Sequence, residues 1–184
     1  MTYQTQDASD LEARSATDRP AVEIGRVIAL DLGTEKTGVA ISDESRVALR
    51  RLCTLPKTSW KRFVEKIVQL CLEFDAQALV IGLPLNMDGS LGAGAEVALR
   101  FARNLQLSFT IPVFLQDERL TSRAALDELK DEGLRPAEIK EAIHSQSAVI
   151  ILRDFLASPY EDRLRANEYT HSVNLASQET VANL

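Results

Sequence analysis

Apolar and polar positions divide the first half of the chain into short strands followed by a helix. Residues 27–32, 37–42 and 46–54 are short, mostly apolar runs joined by tight turns, which is typical of successive antiparallel strands. From Ser59 the apolar residues recur at helical spacing, and this stripe consists of Trp60, Phe63, Val64, Ile67, Leu70 and Cys71. The change of period predicts an amphipathic helix, with Trp60 as a core anchor rather than a base-stacking platform.

The second half of the chain alternates strands with helices. Residues 78–81 and 111–115 are buried apolar runs with a helical pattern between them, which indicates a parallel crossover. Two further helices are expected, one from about Thr121 to Gly133 and one opened by Pro136. The predicted fold class is therefore α/β, a mixed sheet with three antiparallel strands followed by two parallel strands, flanked by helices.

Length and composition indicate one domain with two loose ends. A chain of 184 residues with 45% hydrophobic content can bury a single core. Residues 1–23 are rich in charge and poor in large apolar groups, which predicts a disordered N-terminal segment. Ser158-Pro159 should end the last helix, so we assign residues 24–157 to the domain and 158–184 to a flexible C-terminal tail.

The distribution of charged and apolar residues limits where the protein can be located in the cell and what it can bind. The chain has neither a membrane-length apolar run nor a signal-peptide pattern, so we expect a cytoplasmic protein with no membrane partner. The net charge of −6 is concentrated toward the ends, whereas residues 46–66 are strongly basic and opposed there only by Glu65. This stretch is either a nucleic-acid surface or a solvated strand edge and helix face, and both interpretations stay open.

Charged residues follow several of the predicted strands. Asp31 ends the apolar run 27–30, where an acid is held near the core and needs a cation, a donor or a ligand to compensate it. The loop from Gly82 and the triplet beginning at Asp117 also lie at strand ends. In sheets of this kind, catalytic and ligand-binding residues are usually found at the carboxyl ends of the parallel strands. The alternative to a catalytic role is a structural one, in which Asp31 and Asp117 pair with Arg119 or cap a helix.

Four segments, in order, closely resemble the YqgF (RuvX) family over residues 26 to about 156. They are VIALDLGTEKTGVAISD, VIGLPLNMDGS, FLQDERLTS and IHSQSAVIILRDFL. The resemblance implies a ribonuclease-H-like fold related to Holliday-junction resolvases. It also implies a nuclease that matures the 5′ end of the precursor of small-subunit (16S) ribosomal RNA.

The resemblance further implies a site at which acids from the first strand, a later strand and the last helix bind divalent metals. Asp31 and Asp117 match the two strand acids and are the expected Mg²⁺ or Mn²⁺ ligands, with Glu118 expected on the opposite face of its strand. His144 stands where the family usually has an aspartate, and imidazole suits magnesium poorly. Glu141 lies three residues earlier and is the acid that could replace the missing one.

Substrate contacts are expected from polar residues around these acids. The loop that the family shares could present donors to phosphates, although an ordinary turn would use the same residue types. The substrate-binding candidates are Lys36, Arg51, Asn86, Asp88, Gly89, Ser90 and Arg119.

Several functions are compatible with the sequence. The leading hypothesis is a metal-dependent endonuclease on structured RNA, with Asp31, Asp117 and either His144 or Glu141 at the site. Because of His144, a module that binds nucleic acid without cutting it is the alternative, and a resolvase acting on branched DNA is another. Related junction enzymes work as dimers, so a homodimer is a further expectation. A third interpretation takes DLGTEKTGVAIS as the phosphate loop of a sugar kinase or an actin-like ATPase. The length of the chain opposes it, because those proteins bind nucleotide between two such lobes and this chain has one.

Overall fold

In the computed structural model of the protein, which describes residues 25–119 and 121–169, one mixed sheet carries the fold. The elements are β1 Arg26–Leu32, β2 Lys36–Ser42, β3 Leu49–Pro56, α1 Trp60–Phe74, β4 Ala76–Leu83, α2 Ala93–Ser108, β5 Val113–Asp117, α3 Thr121–Asp131, α4 Pro136–Ala157, a short 3₁₀ turn Tyr160–Asp162 and β6 Leu164–Arg165. The strand order across the sheet is β3-β2-β1-β4-β5-β6.

The strand directions confirm the predicted fold class, an α/β fold with three antiparallel strands followed by two parallel strands. β1 pairs antiparallel with β2 and β2 with β3, while β4 runs parallel to β1 and β5 parallel to β4. The third strand begins at Leu49 rather than at residue 46. The reason is a turn that precedes it, in which Asp43 Oδ1 accepts hydrogen bonds from the backbone N–H groups of Val47 and Ala48.

Helices cover both faces of the sheet. Ile28 and Leu30 of β1 pack in a core formed with α1 and α2, whereas Val27 and Ala29 pack in a second core formed with α4. The apolar run at 148–152 lies within α4, the helix that Pro136 was predicted to open, and contributes to that second core. No helix within residues 25–119 and 121–169 combines the length and the apolar character needed to cross a membrane.

The domain extends past its predicted C-terminal boundary. Leu164 and Arg165 pair antiparallel with β5, Ala166 is buried, and the Arg163 guanidinium lies 4.6 Å from the centroid of the Phe155 ring. A flexible tail beginning at residue 158 is therefore wrong as far as residue 169. A strand of two residues is too short to show an alternating pattern, so no sequence pattern predicts it. The predicted disordered segment 1–23 and the end of the tail lie outside the described residues.

Helix α4 makes its closest approach to the sheet at Gly38 of β2. A Cβ on Gly38 would overlap the carbonyl oxygen of His144 and would lie 2.6 Å from the backbone nitrogen of Ser145. Glycine is often found where the backbone needs a positive φ. Among the described glycines, however, a positive φ occurs only at Gly89 and Gly133. Gly38 is thus needed because the α4 backbone occupies the space of a side chain.

Gly38→Ala should lower the free energy of unfolding by about 2 kcal/mol or more, because α4 has to move off β2 to admit the methyl group. Urea unfolding followed by circular dichroism measures this change. Gly25→Ala is the matched control, since its Cβ would meet only the side chain of exposed Gln77, and a change within about 0.5 kcal/mol is expected. Equal losses in the two variants would contradict the close-approach explanation.

Candidate active site

Asp31 is a buried carboxylate whose partner is His144. Asp31 lies near the carboxyl end of β1 on the face covered by α4, and the residue is only 8% exposed. Its Oδ2 accepts a hydrogen bond from His144 Nδ1 of α4 over 2.9 Å. Burial raises the pKa of Asp31 above its ordinary value, and the hydrogen bond and charge of His144 oppose that rise. The need for a compensating group at Asp31, expected from its position after an apolar run, is thus met in part by an imidazole.

The second carboxylate at this place belongs to Glu118, the residue that follows β5. A Cβ on Gly82 of β4 would overlap Glu118 Oε2 and would lie 2.7 Å from Ile151 Cδ1 of α4. The Glu118 carboxyl group therefore lies between β4 and α4, on the face of the sheet that carries Asp31. Its Oε2 is buried and has no hydrogen-bond partner in the described part of the chain.

The electrostatics show that Glu118 lacks a compensating positive charge. Burial raises the pKa of Glu118 to about 8, with the negative charges of Asp31 and then Asp117 contributing further. A carboxyl group in this state is largely protonated at neutral pH. Strongly perturbed acids that sit close together are a frequent sign of a functional site.

Asp117 is engaged with Arg119. Its Oδ2 accepts from Arg119 Nε at 2.8 Å and lies 2.7 Å from Nη2, and its Oδ1 accepts from the Arg119 backbone N–H at 3.0 Å. The charge pairing that the sequence left open is therefore present. Side chains alternate along β5, so Glu118 and Asp117 point to opposite faces as predicted. The face that carries Asp31 is the one occupied by Glu118, so this alternation puts Asp117 on the other face. Binding of a metal by Asp117 together with Asp31 stays a prediction.

Three other predicted residues lie outside this group of contacts. Glu141 is exposed on α4, and its side chain makes no hydrogen bond or ion pair with residues 25–119 or 121–169. Arg51 on β3 pairs with Glu132 at 2.9 Å, near the end of α3. Lys36 is exposed at the start of β2 and lines a cavity beside the β1–β2 turn. Their roles at the site stay predictions.

The loop after β4 is a turn that satisfies its own polar groups. Asn86 Nδ2 donates to Ser90 Oγ at 2.9 Å, and Asp88 Oδ1 accepts from Ser90 N at 2.9 Å and from Ser90 Oγ at 2.6 Å. Gly89 adopts a positive φ of 83°. Arg119 Nη1 reaches a backbone carbonyl of the same loop at 3.5 Å. The turn interpretation thus accounts for these residue types, and phosphate binding by the loop stays a prediction.

The group formed by Asp31, Glu118 and His144 provides two carboxylates and one imidazole. Within the described ranges, no set of three or more His, Cys, Asp and Glu side chains is already arranged to hold a metal ion. The two carboxylates, one of them with an unpartnered oxygen, are nevertheless the kind of ligand that hard divalent ions prefer. The sequence missed Glu118 because its face depends on the register at the end of β5, which the triplet DER does not reveal.

Comparison with known proteins identifies the family. The family model RuvX, described as Holliday junction resolvase, matches residues 25–158. A protein of Chloroflexus aurantiacus named "Putative pre-16S rRNA nuclease" is 41% identical over 146 residues, covering 79% of this chain and 95% of the relative. A relative of the same name from Methylocella silvestris is 33% identical over 168 residues, covering 91% of this chain and 98% of its own length.

Among solved structures, RuvC of T. thermophilus in complex with a Holliday junction substrate is 16% identical, with a TM-score of 0.46, and the match covers 71% of this chain and 92% of RuvC. The identification rests on the family match and the relatives, which span most of the described domain. The resemblance stated from the four sequence segments is therefore confirmed, and the chain belongs to the RuvX family.

Proposed function

We propose that this protein is a metal-dependent endonuclease whose substrate is structured RNA, the precursor of 16S ribosomal RNA. As a member of the RuvX family the chain is a nuclease, which hydrolyses phosphodiester bonds. The observation that carries the proposal is the meeting of Asp31 and Glu118, which come from β1 and the end of β5, beneath α4. The names of the relatives support precursor 16S rRNA as the substrate.

A divalent cation fits the two carboxylates. Glu118 Oε2 is buried without a partner, and the pKa of Glu118 is raised to about 8 by burial and by neighbouring acids. Asp31 and Glu118 would hold Mg²⁺ or Mn²⁺ through their oxygens, which are the ligands these ions prefer. When bound, the ion supplies a more acidic water and stabilises negative charge on the phosphate. Cation binding would at the same time relieve the repulsion between the two acids.

His144 orients Asp31. Because Nδ1 donates to Asp31 Oδ2, a neutral imidazole in this position keeps Nε2 as its acceptor nitrogen. The side chain is one-third exposed, so Nε2 can accept a proton or a hydrogen bond at the site. Gly33 packs directly against the ring, since a Cβ there would lie 2.5 Å from His144 Cε1. The imidazole is thereby fixed by β1 and its turn as well as by α4.

The replacement of an acid by His144 bears on the alternative function, a nucleic-acid-binding module that does not cut. The site has two carboxylates rather than three, and this weakens its preference for magnesium. Manganese remains suitable because it accepts imidazole as a ligand. We therefore propose cleavage with manganese as the better metal. A non-cutting module and a resolvase acting on branched DNA are outcomes that the experiments below distinguish.

Asp31→Asn and Glu118→Gln should each reduce Mn²⁺-dependent cleavage of a 5′-extended 16S rRNA precursor fragment on the order of 10³-fold, because each removes an anionic ligand. Single-turnover cleavage of end-labelled RNA, with a DNA four-way junction in parallel, is the measurement. Asp127→Asn is the matched control, since Asp127 forms only exposed ion pairs on α3. Full activity in Glu118→Gln would contradict the pairing of Asp31 with Glu118.

His144→Asp should shift the metal preference toward magnesium. The ratio of the Mn²⁺ rate to the Mg²⁺ rate is expected to fall about 10-fold or more, because a hard carboxylate replaces an imidazole at the site. Cleavage rates in each metal, with binding of Mn²⁺ measured by calorimetry, give the ratio. If the wild-type protein cuts in neither metal and the variant gains cleavage, the non-cutting module is the correct function.

The metal-free protein should lose stability as the pH rises from about 5 to 9. The folded pKa of Glu118, about 8, lies above its ordinary value of 4.5, so the folded state holds this proton through that window while the unfolded state releases it. The loss has an upper limit of about 5 kcal/mol at roughly 1.4 kcal/mol per pKa unit. Urea unfolding in EDTA tests this, and Glu118→Gln should flatten the dependence; an unchanged slope in that variant would show that another group is responsible.

A further inference from the structure

A second concave feature lies beside the same strand end, on the side of the sheet covered by α1 and α2. It is a cavity of about 270 Å³ lined by the rings of Trp60, Phe63 and Phe101. Lys36 and Lys57 also line it, and because both are exposed we refer to them as its mouth. Trp60 and Phe101 meet edge to face, with ring centroids 5.2 Å apart, and Phe63 and Phe101 are also 5.2 Å apart. The predicted site does not use any of these aromatic rings.

We infer that this cavity binds the base of an unpaired RNA nucleotide that neighbours the scissile phosphate. The inference rests on the proposed function, because a scissile phosphate exists only if the protein cuts RNA. It deepens that function by stating which structural feature of the RNA the protein selects. It requires a surface for a planar aromatic group, positive charge for the adjoining phosphates, and closeness to Asp31.

The aromatic surface is available to a ligand. Trp60 was predicted as a core anchor of α1, yet it is 40% exposed, and its ring is held in place by Phe63 and Phe101. Val97 of α2 borders the same cavity and is 52% exposed. The cavity is somewhat smaller than the ~300–1,000 Å³ of pockets for drug-sized ligands, so it suits one flat group. Stacking of bases on aromatic side chains is the common way in which proteins bind single strands.

The charge at the mouth suits phosphate. Lys57 Nζ donates to the backbone carbonyl of Thr34 at 3.2 Å, which holds its ammonium group over the β1–β2 turn. Lys36 is exposed, and nothing in residues 25–119 or 121–169 forms an ion pair or hydrogen bond with its side chain. Lys61 follows on the first turn of α1. A purely apolar ligand would gain nothing from these ammonium groups, whereas the two phosphates that flank a base would.

The cavity and the candidate active site share one turn. Leu32 and Gly33, which line the cavity, directly follow Asp31, and Gly33 also packs against His144. Asp31 points to the α4 side and Leu32 to the α1 side, because side chains alternate at the end of β1. A strand of RNA that crosses this turn can therefore place a phosphate near Asp31 and Glu118 and a neighbouring base on Trp60.

Trp60 is the only tryptophan in the 184-residue sequence, so intrinsic fluorescence reports on the cavity directly. Titration of the Asp31→Asn protein with a short single-stranded RNA should quench this emission to saturation, while a blunt duplex of the same sequence should quench it little. Single-stranded DNA of that sequence serves as the second arm. Absence of quenching while fluorescein-labelled RNA binds the same protein would overturn the inference, and equal quenching by DNA would overturn the assignment to RNA.

Anisotropy of labelled RNA compares the variants. Trp60→Ala should weaken single-strand binding about 10-fold, within the range expected for loss of one stacked base, and Trp60→Phe should retain most of the affinity. Leu72→Ala removes another exposed apolar residue of α1, outside the cavity, and should leave binding unchanged. Unchanged affinity in Trp60→Ala would overturn the inference. If the wild-type protein does not cleave RNA but RNA still quenches Trp60 fluorescence, only the nuclease proposal is contradicted. If it cleaves RNA but Trp60 fluorescence does not respond to RNA, only the proposal for the cavity is contradicted.

Discussion

The contact between the α4 backbone and Gly38 is the constraint on which the site depends. Helix α4 lies against β2 so closely that no side chain fits between them, and this closeness brings His144 onto Gly33 and Asp31. The same helix then continues over β4, where Ile151 approaches Gly82. The position of α4 therefore determines where His144 lies beside Asp31 and how much space Glu118 has beside Gly82. A shift of α4 by the width of a methyl group would separate the imidazole from the carboxylate.

The absence of a side chain at Gly82 has a chemical consequence. β4 lies between β1 and β5, so carboxylates on the outer two strands can meet only if the strand between them leaves space. Glu118 fills that space and faces Asp31, at the expense of a buried oxygen without a partner and a pKa raised to about 8. A single imidazole compensates Asp31 and leaves Glu118 uncompensated. Protonation of Glu118 avoids an uncompensated buried charge, and a cation that enters the site would serve the same purpose.

The sequence predicted the order and type of the elements because their hydrophobic periods differ clearly, and it predicted that Asp31 needs a partner because an acid follows an apolar run. It could not predict β6, because two residues are too few to show a periodic hydrophobic pattern. It did not predict Glu118 as a neighbour of Asp31, because the face of Glu118 depends on where β5 ends and on the missing side chain at Gly82. Both are properties of packing between strands that are distant in sequence, which no local pattern reports.

In the proposed nuclease, the turn after β1 would join two kinds of recognition that an enzyme for structured RNA has to combine. Phosphate chemistry on the α4 side does not distinguish one backbone position from another, because every nucleotide presents the same group. An aromatic cavity on the α1 side admits only a base that has left its stack, and unstacking is easiest in single-stranded or distorted segments. With Leu32 and Gly33 next to Asp31, occupancy of the cavity would select the phosphate to be cut. Selection of a position would then come from RNA shape, and the overall charge of −6 would matter less than the lysines at the mouth.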